Sequence, residues 1–274
     1  MGDHLTVFHK GRPCRIDTQW YRCGSQGRPV LVFLHEGLGC IASWKDIPEQ
    51  ISRATNCHAF SYSRLGYGGS DPVSLPRKIN HMHVEALSVL PQVLDAAGIK
   101  EHIIIGHSDG GSIGIIHAGS QKTDLRKKRK GVASSGPEHL KGLITLAAHL
   151  FCEPVTLEGI REAKQRYLSG HLRDKLARIH GPNTDNAFWG WNDIWLSPKF
   201  SQWNIERYLG PIRVPLFAIQ GTQDPYGTMA QLDAIQAGNK AAKIFAVQGC
   251  GHFPHLEQRD RVTQRIISFI KQLL

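Results

Sequence analysis

The sequence predicts an α/β fold: an eight-stranded, mostly parallel sheet with helices on both faces and a helical insertion. Three observations predict it. Continuous apolar runs, too greasy for a half-exposed sheet, alternate with amphipathic stretches of helical period. The first two strand-like runs instead alternate polar and apolar residues, as an antiparallel edge does. One late stretch, 153–210, drops the strand signal altogether.

Taken in order, Leu5–His9 and Cys14–Arg22 are the alternating pair at the edge. Pro29–His35 and Cys57–Ser61 follow, the former holding the run Val30-Leu31-Val32-Phe33-Leu34. Glu85, Leu87, Val89, Leu90, Val93, Leu94 and Ala97 form an amphipathic helix that Gly98 stops. His102–Gly106 is the next strand, and a helix opening at Gly110 continues through Ile113 to Ala118. Leu140–Ala147 is again strand-like. The insertion then holds four of the chain's six tryptophans, Trp189, Trp191, Trp195 and Trp203, with Tyr167, Phe188, Phe200 and Tyr208. Val214–Gln220 and Ala242–Val247 resume the sheet, and Val262, Ile266, Ile267, Phe269 and Ile270 mark a final helix. The expected organisation is a core of 1–152 and 211–274 with a helical cap of 153–210. Alternating strands and helices imply right-handed crossovers, which set the strand C-termini on one rim.

Composition narrows the function classes. Hydrophobic residues at 41% and charged residues at 20% exclude wholesale disorder. No apolar run approaches the ~20 residues of a membrane span. The six cysteines (14, 23, 40, 57, 152 and 250) are scattered with no C-x-x-C pair, so reduced thiols in a cytoplasmic protein are expected. Gly2 and Thr6 fit a myristoylation pattern, but Asp3 and the immediate strand run oppose it. Residues Arg126, Lys127, Lys128, Arg129 and Lys130 supply half of the net charge of +10. With Gly, Ser and Pro following and no aromatic residue interleaved, the run reads as a solvated loop rather than a nucleic-acid surface. Nothing in the sequence specifies an oligomeric state.

The chemistry concentrates on Gly106-His107-Ser108-Asp109-Gly110. A serine on a sharp strand-to-helix turn is lifted out of the fold, and glycines two residues either side let strand and helix pass closely. The following helix aims its free N–H groups at the same place. A serine nucleophile needs a base, and the base an orienting acid. Asp224, after the strand ending at Gln220, and His252, after the strand ending at Val247, both fall just beyond strand C-termini. His252 is therefore the expected base and Asp224 the expected acid. His255 is the nearest rival base but begins the last helical segment. His107 is expected to point away from Ser108. His81 and His83, two apart, do not converge on a metal. Asp109 competes as the acid, but its place at a helix start explains it as a dipole-compatible residue. The backbone N–H groups of Asp109 and of Gly37, with Leu38 second, are the expected oxyanion donors. No nucleotide-binding glycine loop or metal-ligand spacing occurs, so neither cofactor nor metal is expected.

These motifs resemble the α/β-hydrolase superfamily. The resemblance rests on HEGLG at 35–39, SRLGYGGS at 63–70, GHSDGG at 106–111, GTQDPYG at 221–227 and GHFPHLE at 251–257. It covers about residues 29–121 and 212–274, and is similar in kind to valacyclovir-hydrolase-like and enol-lactonase-like esterases. It implies an α/β-hydrolase sheet with Ser108 as nucleophile, Asp224 as acid and His252 as base. Glu36 departs from the glycine that commonly follows the histidine of the oxyanion loop; a carboxylate there disfavours anionic substrates. Residues 121–139 look like an extended loop. The leading expectation is cleavage of a small ester, lactone or related acyl bond through an acyl-enzyme. Carbon–carbon hydrolysis, thioester cleavage and acyl transfer use the same parts, and a ligand receptor with little turnover is the reading of another class. Trp189, Trp191 and Trp195, with Glu36, are the expected pocket residues. Cys40 and Cys250 flank the site loops, so thiol alkylation is expected to slow the enzyme.

Overall fold

A computed structural model describes residues 3–120 and 136–274; the basic run 126–130, Gly2 and most of the expected long loop lie outside the described residues. The strands are β1 (Asp3–His9), β2 (Arg12–Tyr21), β3 (Val30–Leu34), β4 (Ala59–Tyr62), β5 (His102–His107), β6 (Leu140–Leu146), β7 (Leu216–Gly221) and β8 (Lys243–Val247). They form one eight-stranded sheet in the order β1-β2-β4-β3-β5-β6-β7-β8. β1 pairs antiparallel with β2, and β2 antiparallel with β4. From β4 through β3 to β8 every pairing is parallel. The polar alternation of the first two runs thus marks the antiparallel edge. β7 starts at Leu216 rather than Val214 because Pro215 precedes it; its carbonyl instead accepts the Leu143 N–H at 3.0 Å.

The continuous apolar runs are explained by two buried faces. Side chains alternate across a strand, so Val32 and Leu34 of β3 join one core while Leu31 and Phe33 join the other. The first core is closed by the helical stretch α2 (His81–Val84), a π-turn (Glu85–Val89) and α3 (Leu90–Ala96), and by α4 (Asp109–Gly119). The second is closed by α1 (Ile47–Thr55) and the C-terminal helix (Arg259–Lys271), through Ile47, Ile51, Val262, Ile266 and Ile270.

Between β6 and β7 the chain is helical: α5 (Pro154–Leu168), α6 (His171–His180) and α7 (Thr184–Trp195), then short 3-10 turns. Its two ends are stitched together beside β6, where the Ile205 N–H donates to the Leu150 carbonyl at 2.7 Å. After β7 come α8 (Ala230–Gly238), β8, α9 (Pro254–Glu257) and α10 (Arg259–Lys271). Parallel pairing places the loops after β3, β5, β6, β7 and β8 on one rim, and α5–α7 lie over it.

Candidate active site

Ser108 sits between β5 and α4 with φ 50° and ψ −117°. A non-glycine residue held there costs roughly 1–3 kcal/mol, which the surrounding packing must offset. The two glycines make that turn possible. A Cβ on Gly106 would lie 2.3 Å from the Gly110 carbonyl oxygen, and one on Gly110 would lie 2.0 Å from that of Leu34. Helix α4 is thereby pressed against β5 and β3. Asp109 opens α4, where the first backbone N–H groups have no intrahelical acceptor.

His252 and Asp224 are brought together by the loops after β8 and β7. The His252 Nδ1–H donates to both Asp224 oxygens, at 2.9 and 2.8 Å. The loops meet closely because residue 221 is glycine: a Cβ there would be 2.2 Å from the carbonyl oxygens of Cys250 and Gly251. The Tyr226 N–H also donates to Asp224 Oδ1 at 2.8 Å. Burial alone would raise the Asp224 carboxyl, but the facing imidazole and these hydrogen bonds leave it below its ordinary value. Because Nδ1 is the nitrogen bonded to Asp224, Nε2 is the ring nitrogen left for another partner.

The loop after β3 is clamped from behind. The Arg64 N–H donates to His35 Nε2 at 3.0 Å, which fixes the His35 proton on Nδ1, and that nitrogen donates to the Glu36 carbonyl at 2.7 Å. The Arg64 guanidinium donates to the same carbonyl at 2.9 Å. Burial and nearby Arg64 hold His35 well below the usual imidazole range, so it stays neutral. The Leu38 carbonyl is held from α6 by His180 Nε2–H at 2.8 Å. Gly37 lies against Trp191 so closely that a Cβ would be 2.3 Å from the indole. Glu36 lines the cavity, but its carboxylate also turns toward His107, 3.6 Å from Nδ1. Burial would raise the Glu36 carboxyl; the His107 contacts bring it below its ordinary value.

Asp109 is more than a helix-start residue. It is buried, 3.8 Å from Arg64, and burial outweighs that cation and keeps its carboxyl above the ordinary value. His107 packs against Trp44 and Phe253, and its Nε2–H donates to the His252 carbonyl at 2.8 Å. His255 is buried on α9 against Trp44 and His107. His81 lies against Phe200 and His83 against Tyr208. Among the described residues, no group of three potential ligands is placed to hold a metal ion.

A cavity of about 80 Å³ gathers Ser108, His252, Asp109, Glu36, Gly37 and Leu38. Over them stand Trp191 and Trp195 from α7, and Thr156 and Ile160 from α5. Trp189 is not among the lining residues. It packs on Tyr167 and Phe188, because α7 presents it to α5 rather than to the rim. His149, Tyr226 and Phe253 complete the wall, and sequence reasoning did not single them out. Phe253 and Tyr226 flank the named base and acid, so adjacency was an available signal; His149 follows an apolar strand with no motif around it. Cys40 and Cys250 are buried free thiols, each pushed up to about 11 chiefly by burial. A buried thiol of raised pKa is a weak nucleophile, which works against the expectation that alkylation there slows the enzyme.

Comparison with known proteins places the chain. The family model for the alpha/beta hydrolase family matches residues 31–265. Among solved structures, the enol-lactonase from Burkholderia xenovorans LB400 is 16% identical, with 98% of this chain and 99% of that one covered and a TM-score of 0.72. VinJ is 21% identical, with 99% of each chain covered and a TM-score of 0.71. A structure from work on carboxylesterases of the thaumarchaeon Nitrososphaera gargenis is 15% identical, with 98% of each chain covered and a TM-score of 0.75. At these identities the likeness is one of fold. No curated protein sequence matches the chain.

Proposed function

Because the chain belongs to the alpha/beta hydrolase family, we propose that it is a serine hydrolase that cleaves small carboxylic esters or lactones. The observation that carries this reading is the His252–Asp224 pair at 2.8 Å, opening on the same cavity as Ser108 at its positive-φ turn. In the scheme, Ser108 Oγ attacks the acyl carbon while its proton passes to His252 Nε2. The oxyanion accepts hydrogen bonds from the backbone N–H of Asp109 and from Gly37 or Leu38. The imidazolium, steadied by Asp224, then gives its proton to the leaving alcohol as the C–O bond breaks, leaving an acyl-Ser108. Water loses a proton to His252, attacks that ester and restores the serine. The chain's own groups complete this sequence.

In this reading the protein has a core of 1–152 and 211–274, and 153–210 acts as a cap whose Trp191 and Trp195 enclose an apolar part of the substrate. The small cavity and the ester-cleaving relatives in fold favour a small molecule. The test is a panel of esters and lactones, with a fluorophosphonate probe of the nucleophile, run on the wild type and Ser108→Ala. Turnover and labelling that vanish in the variant support the reading; full turnover by Ser108→Ala overturns it.

A further inference from the structure

His149 lines the Ser108 cavity yet has no part in the scheme above. Its backbone is pinned to the helix that follows the serine: the Ser112 hydroxyl donates to the His149 carbonyl at 2.6 Å, and the His149 N–H donates to the Ser112 oxygen at 3.1 Å. The ring is 3% exposed as a residue and stands between Trp195, at 5.2 Å between centroids, and His252, at 6.0 Å. A hydrocarbon would fill this place beside Trp195 without burying a polar ring.

Two facts fix the state of that ring. Nδ1 is sealed from solvent and has no hydrogen-bond partner. A proton on it would be a buried orphan donor, which is rarer and costlier than an under-used acceptor. The proton therefore resides on Nε2, at the other edge of a ring whose residue borders the cavity. Burial, and next the neighbouring His252, push the imidazole down to about 4, against the opposing pull of Asp224 and Glu153. At neutral pH the ring is an uncharged donor.

The direction of that donor follows from the chemistry. His252 delivers its proton to the leaving oxygen, so the leaving group lies over His252, and of the cavity-lining rings beside it, Tyr226 at 4.8 Å, Phe253 at 5.5 Å and His149 at 6.0 Å, His149 is the imidazole. We propose, on the reading that Ser108 and His252 carry out acyl transfer, that His149 is a specificity residue. Its Nε2–H donates to an acceptor on the leaving group, so the preferred substrates are esters whose alcohol carries an ether, carbonyl or hydroxyl oxygen close to the scissile oxygen.

The experiment compares 2-methoxyethyl and n-butyl esters of one acid, chosen as the acid the wild type turns over best. The two alcohols differ by one oxygen in place of a methylene. The wild type is expected to favour the methoxyethyl ester about fivefold to tenfold in kcat/KM, the worth of one neutral hydrogen bond. His149→Phe is expected to bring the ratio to about one, whatever its absolute rates, and His149→Gln, which keeps an N–H, to retain part of the preference. A wild-type ratio near one, or an unchanged ratio in His149→Phe, overturns the proposal. Nitrogen NMR of histidine-labelled protein gives a readout independent of turnover: a neutral, Nε2-protonated His149 is expected at pH 7, and an Nδ1-protonated or cationic ring overturns the donor. Full turnover by Ser108→Ala sinks the serine scheme and leaves the NMR result to decide the donor. A dead Ser108→Ala beside an unaltered His149→Phe ratio sinks the His149 assignment alone.

Discussion

The rim of the sheet and the helical segment above it are built on different principles. At the rim, backbone does the placing. Ser108 follows directly from β5, and Gly106, Gly110 and Gly221 are sites where another chain segment lies within 2.3 Å of a would-be Cβ. Asp224 and His252 are carried on loops leaving adjacent parallel strands. In the helical segment, side chains do the placing. Trp189 and Trp191 are two residues apart on α7; one packs on Tyr167 and the other faces the cavity. The rim therefore tolerates little backbone change and places its side chains sharply. The segment above can be repacked with less disturbance of the backbone.

The strongest way to break that contrast is Ser108→Ala. Ester turnover is expected to fall by about 10⁶-fold, the scale of losing a serine nucleophile, with the melting temperature nearly unchanged. A modest loss would mean that the rim does not hold the chemistry. Asp224→Asn comes next, since it leaves the imidazole in place but with the wrong tautomer; kcat should drop by about 10⁴-fold. A third test sharpens the other side. Trp191→Leu is expected to raise KM about tenfold, the worth of a few pocket contacts, whereas Trp189→Leu should shift KM less than about twofold and act on the melting temperature instead. Equal effects on KM from both would erase the distinction drawn within α7.

The smallest effect expected is a pH dependence of stability, read by thermal melts between pH 7 and 3. His149 and His102 are both held near 4 by burial, against about 6.5 in an unfolded chain. The unfolded state therefore takes up their protons first as pH falls, and stability is lost between about pH 6.5 and 4. Asp224 works in a lower window. Its folded value is depressed, so its contribution is present above the unfolded value of about 3.9 and is lost as pH falls further. A fall of roughly 5 °C or more down to pH 4 is expected, and a flat profile would contradict the burial of these imidazoles.

The fold was legible because a sheet covered on both faces needs runs such as Val30–Leu34, while its edge needs the alternation of β1 and β2. The strand-turn-helix setting of Ser108 was legible because close passage at that turn demands glycine at 106 and 110. His149 was not legible: in sequence it is one of fifteen histidines, and its place beside His252 arises from the parallel register of β6 in the sheet and from the Ser112 hydrogen bonds. Asp109 read as an ordinary helix start, because the burial beside Arg64 that raises its carboxyl belongs to packing across the sheet.

By itself the sequence determined the period of each element, the residue at each tight turn and the order of Ser108, Asp224 and His252 along the chain, because these depend on local backbone geometry and chain direction. Only the tertiary structure decided which tryptophan faces the cavity, which histidine loses its charge and how the carbonyls of the loop after β3 are tied. Those outcomes depend on desolvation and on contacts between segments separated along the chain, such as Arg64 with Glu36 and His180 with Leu38, and no local pattern encodes them.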